Sequence, residues 1–366
     1  MRYFLPQALF DGQALRTNTA LACEGEVVAD IMPLSALPTG TLIEPVEALI
    51  TPPLFDVQVN GGGGVMLNNM PTREGVRNIA QAHNALGTTC LLPTVITDRP
   101  EIMDRSAQAV ASELGQNGVL GIHIEGPHIS VAHKGTHNPA YIRPFDDHTM
   151  AVLEGLRHRG VPVLLTLAPE IVEPGLIARL TRMGIVVSAG HSAASAEKTQ
   201  KALAEGLRCF THLFNGMPQM TSRAPMITGV AINSEVWCGI IADGHHVSDD
   251  MVALATRARP IPDRMILVSD AMSTVGGPDH FELYGETMRV EVGRLVNSEG
   301  SLAGAHIDLA TSVHRMVTNI GILMIEAVRM ATSNPFEMMR LDCPKIIGSK
   351  LSDLGKLRSS GIASDC

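Results

Sequence analysis

The chain has 366 residues, with 28 Lys and Arg against 37 Asp and Glu, a formal net charge of −9. That length suggests one large domain or two medium ones, and 45% hydrophobic against 18% charged residues allows a sizeable core and excludes global disorder. With 8 Phe, 3 Tyr and 1 Trp, aromatic-lined carbohydrate grooves and stacking platforms for single-stranded nucleic acid are disfavoured, and the acidic balance leaves no overall basic footprint for nucleic acid or an anionic membrane. A phosphate-bearing substrate would need a local cation.

Residues 1–50 are short apolar stretches broken by Gly and Pro, the pattern of a small β-rich domain. The first fifteen residues lack the apolar core of a signal peptide, and no apolar run approaches a membrane span. From Leu54 the pattern changes. Eight short apolar runs follow, at 54–60, 88–97, 119–126, 161–170, 184–191, 207–215, 236–244 and 265–271. Between most of them lie amphipathic segments such as 73–86, 101–114 and 195–206. Apolar strands buried on both faces and separated by helices signify a parallel sheet. Eight such units predict an α/β protein built on a (β/α)8, TIM-like barrel over residues 51–280. No GxGxxG follows the first strand, and the run Gly61–Gly64 is left open between a plain turn and a point of substrate approach.

Beyond the eighth strand, residues 281–303 again read as short β pieces, expected to belong with 1–50 to one split β-sandwich domain. Residues 304–340 read as closing helices, and 341–366 as a divergent tail. The six cysteines form no CxxC pair and read as buried free thiols of a reducing compartment, so a cytoplasmic protein is expected.

In such a barrel, chemistry sits at the C-terminal ends of the strands. That edge offers Asp56, Gln58 and Asn60 on the first strand and His123 and Glu125 on the third. His191, His212 and Asp270 end the fifth, sixth and eighth. Side chains two apart share a strand face, so Asp56, Gln58 and Asn60 are expected in one inward row. Glu125, His191 and His212 supply one carboxylate and two imidazoles, a three-ligand set that leaves a position open for water, as catalytic zinc requires. Asp270 would lie across the mouth as general base and then acid. Any one of these residues alone is more often structural; four at one edge are a site.

The motifs DVQVNGGGG (56–64), GIHIEGPHI (121–129), KGTHNP (134–139), SAGHS (188–192), THLFNGMP (211–218), ADGHHV (242–247) and VSDAM (268–272) occur in that order. The ordered set resembles the N-acetylglucosamine-6-phosphate deacetylases of the metal-dependent amidohydrolase superfamily, over roughly residues 50 to 335. The superfamily usually opens with HxH on the first strand. Here Gln58 and Asn60 take those places, and neutral amides are poor zinc ligands. The resemblance therefore implies a single-metal branch, with one divalent ion per subunit on Glu125, His191 and His212 and with Gln58 and Asn60 just beneath it. Zinc suits the set, with iron, cobalt and manganese as the other candidates.

The resemblance also implies roles. Asp270 matches the general base and acid, and His137 the residue that hydrogen-bonds the scissile acetyl carbonyl. Thr136, Asn215, Gly216, Leu302, Ala303 and Gly304 match substrate contacts. Arg223 and His246 match the phosphate binders, with His245 as the rival to His246. A homodimer or higher homo-oligomer is implied, in which a neighbouring subunit lends Arg223. The implied substrate is N-acetyl-D-glucosamine 6-phosphate, and its products D-glucosamine 6-phosphate and acetate.

The chain departs from the resemblance at 343–366, which has little strand pattern, so the small β-domain is expected to lack its final strands. Three alternatives stand beside the main reading. One is deacetylation of another acetamido-sugar phosphate, such as N-acetylgalactosamine 6-phosphate. Another is a different amidohydrolase, against which the absent HxH and the presence of KGTHNP weigh. The last is a non-catalytic barrel, against which the four retained site residues weigh.

Overall fold

The structure, a computed structural model, describes residues 1–298 and 300–358. Eight parallel strands form one sheet in chain order: Phe55–Val59, Cys90–Ile96, Ile122–Glu125, Val163–Leu167, Val186–Ala189, Cys209–Phe210, Trp237–Ile240 and Met265–Leu267. They are numbered barrel strands 1 to 8, and each falls within one of the eight apolar runs. All their residues are buried, because one face lines the interior and the other is covered by helices. The helices start where polar caps allow. Thr72, Asp146, Ser195 and Asp308 each accept an amide of the first turn, opening Arg73–Ala85, Asp147–His158, Ala196–Ala204 and Leu309–Thr318.

The interior has two levels. The lower one is apolar, with Phe55, Val57, Leu92, Leu164, Val186, Trp237 and Ile266. Helix Ser333–Met339 plugs it from below, its Phe336 ring 4.7 Å from Phe55. The upper one is polar and hydrogen-bonded. His123 Nε2 meets Thr166 Oγ1 at 2.8 Å, Thr166 meets Thr211 at 2.7 Å, and Ser188 meets Thr211 at 2.6 Å. Burial pushes His123 down to about 4, so this imidazole is neutral.

The expected inward row Asp56, Gln58, Asn60 needs correction. Strand 1 is bulged: its register against strand 2 slips between Asp56 and Val59. Phe55 and Val57 join the inner core while Val59 packs in the outer one. The bulge thus turns Gln58 and Asn60 into the barrel mouth and leaves Asp56 at the seam, re-aiming side chains beside a site. That seam, between strands 8 and 1, carries no regular ladder. It is closed where Asn60 N and Gly61 N donate to Ala271 O at 2.9 and 3.0 Å, and where the Asp56 carboxyl accepts Ser269 N at 3.2 Å and Gln58 N at 3.1 Å. Gly61–Gly62 pair with Val65–Met66 in a tight ordered hairpin, and a Cβ on Gly61 would lie 2.4 Å from Val65 O.

Two further expectations change. The tail does supply a strand: Gly355–Leu357 pairs antiparallel with Ile43–Thr51, at the edge of the sheet that also contains Arg2–Phe10, Thr19–Glu24 and Val27–Pro33. The strand has three residues, too few for an alternation to be read, yet Leu354 and Leu357 beside and within it are 1% and 4% exposed. Residues 359–366, with Cys366, lie outside the described residues. The segment after strand 8 does not join the N-terminal sheet. His280–Leu283, Glu286–Glu291 and Arg294–Val296 form a separate three-stranded meander. Its Phe281, Leu283, Met288 and Leu295 pack on Met66, Ile96 and Met272 at the barrel mouth. That apolar face had a nearer surface to cover than the N-terminal sheet.

Leu357→Ala should destabilise the chain by about 2–5 kcal/mol in denaturant unfolding, the cost of a cavity at a buried leucine; coincident transitions would mean the tail strand contributes nothing. Burial pushes Asp56 up to about 7 despite the hydrogen bonds from Ser269 and Gln58. An unfolded aspartate titrates near about 3.9, so the folded chain holds the proton more tightly, and the associated stability is present at low pH and lost as pH rises through about 7. Thermal melts from pH 5 to 8 should therefore fall more steeply for the wild-type chain than for Asp56→Asn.

Candidate active site

At the C-terminal edge of the barrel, Glu125 ends strand 3, and His191 and His212 follow strands 5 and 6. Glu125 Oε1 lies 2.9 Å from His212 Nε2 and 3.3 Å from His191 Nε2, and the two Nε2 atoms are 3.1 Å apart. His191, His212 and Asp270 all leave their strands through left-handed backbone, with φ of 46°, 28° and 51°. Non-glycine residues hold such angles at an energetic cost, and they do so mainly at functional sites.

His191 Nδ1 lies 2.8 Å from His133 O, an acceptor, so Nδ1 carries the proton and Nε2 presents its lone pair. Gly216 makes room for this ring: with φ of 60°, a Cβ there would lie 2.8 Å from His191 Nδ1. His212 Nδ1 is buried with no hydrogen-bond partner among the described residues. Burial opposes charge on Glu125, but the adjacent imidazoles of His191 and His212 hold its carboxyl well below the usual carboxylate range. Burial likewise opposes charge on His212, while Glu125 raises it above the usual imidazole value. A carboxylate oxygen and two imidazole nitrogens that face one another this closely are three donors without an acceptor between them. A divalent cation fits that set.

Asp270 lies beside them. Its Oδ1 accepts Asn60 Nδ2 at 2.6 Å and Gln58 Nε2 at 3.1 Å, and the same Gln58 nitrogen donates to Glu125 Oε1 at 3.0 Å. One carboxylate oxygen is thereby held and the other left toward the cavity. Burial, then the charge of Glu125, raises the Asp270 carboxyl above its usual range. His137 stands opposite. Its Nδ1 accepts Thr97 N at 3.3 Å and lies 2.7 Å from Thr97 Oγ1, so its proton is on Nε2. Burial, then the nearby His191, holds it well below the usual imidazole value, so it is a neutral donor.

These groups line a cavity of about 160 Å³ with Thr136, Asn215, Gly216, His246, Leu302 and Gly304. A larger recess of about 380 Å³, at Gly87, Thr311, His314 and Leu357, holds none of them. Of the two adjacent histidines, His246 lines the cavity and His245 is exposed. His246 Nδ1 lies 2.7 Å from Asp243 Oδ2, and Asp243, despite its burial, is held at about 2 by that partner.

Two anticipated contacts are not brought together with the rest. Ala303 is fully buried in the small core under the meander, its amide donating to Leu295 O, and it does not line the cavity. Arg223 is exposed on a tight turn closed by Thr221 N to Ala224 O at 2.9 Å and has no ion-pair partner among the described residues. The turn aims the guanidinium at solvent. Thr97 and Glu170 were not anticipated. Glu170 accepts Ser192 Oγ at 2.7 Å and Ala193 N at 2.6 Å, clamping the turn after His191. Thr97 and Glu170 each close an apolar run, so their positions at or just beyond strand ends were the available signals.

The amidohydrolase family model matches residues 49–345. An N-acetylgalactosamine-6-phosphate deacetylase of Shewanella sp. (strain ANA-3) is 43% identical over 290 residues, covering 78% of this chain and 73% of that protein. An N-acetylglucosamine-6-phosphate deacetylase of Haemophilus influenzae is 30% identical over 331 residues, covering 88% and 86%. The crystal structure of N-acetylglucosamine-6-phosphate deacetylase from Pasteurella multocida superposes with a TM-score of 0.87 at 30% identity, covering 95% of this chain and 92% of that one. The chain belongs to the amidohydrolase family, the metal-dependent hydrolases of amide bonds.

Proposed function

We propose that the chain hydrolyses the acetamide of N-acetyl-D-glucosamine 6-phosphate to D-glucosamine 6-phosphate and acetate, in amino-sugar breakdown. The observation that carries the reading is the convergence of Glu125, His191, His212, Asp270 and the neutral His137 on one small cavity. The deacetylases of Haemophilus influenzae and Pasteurella multocida support the substrate. The relative at 43% identity favours a second reading, N-acetyl-D-galactosamine 6-phosphate, which the same chemistry would serve.

Glu125, His191 and His212 would hold one divalent ion, zinc by the chemistry of the donors. When bound, such an ion supplies a Lewis acid for the acetyl carbonyl and makes water more acidic. Asp270 takes the proton of the attacking water on its free oxygen and passes it to the departing amine, which leaves poorly as an anion. Asn60 and Gln58 fix the rotamer of Asp270 for both transfers. His137 Nε2–H donates to the acetyl oxygen as it gains charge. Thr136, Asn215, Gly216, Leu302 and Gly304 would border the sugar, and His246 the phosphate. The exposed Arg223 suits a homodimer in which it reaches the partner's phosphate, where a guanidinium fork pairs well. Five unpaired cysteines among the described residues fit a cytoplasmic setting.

The deciding experiment is a deacetylation assay on both sugar phosphates with metal quantified in the same sample; a metal-free, inactive protein would favour a non-catalytic barrel. Asp270→Asn should lower kcat by about 10²–10⁴, the usual worth of general acid–base catalysis, and a near wild-type rate would remove Asp270 from that role. Arg223→Ala should raise KM for the phosphorylated sugar and spare an unphosphorylated analogue. Mixed with Asp270→Asn it should regain activity through hybrid dimers, whereas equal losses on both substrates would remove Arg223 from the phosphate.

A further inference from the structure

We propose that Tyr284, on the meander outside the barrel, is a positioning residue that acts through Thr97 to hold His137 in its donating orientation. The inference rests on His137 binding the acetyl carbonyl. Tyr284 and Gly285 form the two-residue turn between His280–Leu283 and Glu286–Glu291, with φ of 53° and 83°. Two successive positive φ angles define a turn that favours Asn-Gly, because a bulky side chain is strained in left-handed backbone. A tyrosine there carries a local backbone cost, which points to the work of its side chain, part of it packing on the meander's core.

That side chain reaches down to the barrel mouth. Its hydroxyl donates to Thr97 O, and its ring lies 6.3 Å from that of Tyr141. Thr97 is thus gripped by its carbonyl on one side. On the other, its amide and hydroxyl meet His137 Nδ1 at 3.3 and 2.7 Å. The amide can only donate, so Nδ1 accepts and the ring proton sits on Nε2, where the cavity needs it. Burial raises the Tyr284 phenol above its usual range, so it remains a donor at any working pH. The same meander leads directly to Leu302 and Gly304, through the bridge between Val296 and Leu302. One sheet therefore shapes the cavity wall and secures the donor that faces it. Hydrogen bonds in series polarise and orient one another, so loss at the far end is felt at the near one.

The test is a double-mutant cycle in the metal-loaded full chain. Tyr284→Phe should lower kcat about three- to tenfold with KM unchanged, the size of one buried hydrogen bond. In a His137→Gln background the same change should cost nothing further. Imidazole ¹H–¹⁵N spectra should show His137 as one tautomer in the wild-type chain and as a mixture in Tyr284→Phe. Tyr284→Asn covers the event that Tyr284→Phe folds poorly, since Asn suits the turn; a folded Tyr284→Asn, by cooperative melting, should still lose rate. An undiminished Tyr284→Phe effect in the His137→Gln background, a fully active Tyr284→Asn, or an unchanged tautomer would overturn the proposal. Wild-type turnover by His137→Gln alone would instead overturn the role of His137, leaving the tautomer measurement to judge Tyr284.

Discussion

Three lone-pair donors are pressed together at the mouth of this barrel, and the rest of the molecule is organised around that crowding. Glu125 Oε1 and the Nε2 atoms of His191 and His212 lie within 3.3 Å of one another in a buried space. Such a cluster is costly unless a cation joins it, since buried charge must be paired. The chain keeps the donors in place by local means: left-handed exits from strands 5 and 6, the His133 carbonyl on one ring, the Glu170 clamp behind it and a glycine at 216 to admit it. Each of these raises local energy or restricts sequence, and the large apolar core is what tolerates it.

A second constraint is closure. Strands 8 and 1 are not joined by a ladder, and a barrel with an open seam would let its mouth widen. The seam is shut by backbone contacts to Ala271 and by the buried carboxyl of Asp56. The bulge in strand 1 serves both tasks, leaving Asp56 to the seam and turning Gln58 and Asn60 onto Asp270. Fold stability and site geometry therefore share residues, and a group that looks catalytic by its sequence position is structural by its contacts.

The acidic chain meets an anionic ligand with very few cations. His246 is at the cavity, oriented by Asp243, while Arg223 faces solvent. Local placement of charge, and not the net value of −9, decides what such a cavity accepts. The low aromatic content fits the same picture, because a site built on metal ligands and hydrogen bonds has little need of stacking rings. Of the three tyrosines, the one at position 284 stands where turn chemistry would select against it.

The eight strands, their order and the placement of Glu125, His191, His212 and Asp270 together at one rim were legible in the sequence. Apolar runs at regular spacing dictate a parallel barrel, and a barrel presents all its strand ends at one rim. What the sequence could not carry were the particular contacts that each segment makes once folded. The bulge depends on pairing with strand 2, the solvent-facing pose of Arg223 on a turn, and the burial of Ala303 on the meander's own core. The strand Gly355–Leu357 is too short to show a period and exists only because Ile43–Thr51 offers it an edge. Patterning along the chain sets which faces are apolar, while the tertiary structure alone decides which polar atoms meet, because hydrogen bonds demand positions to within a few tenths of an ångström.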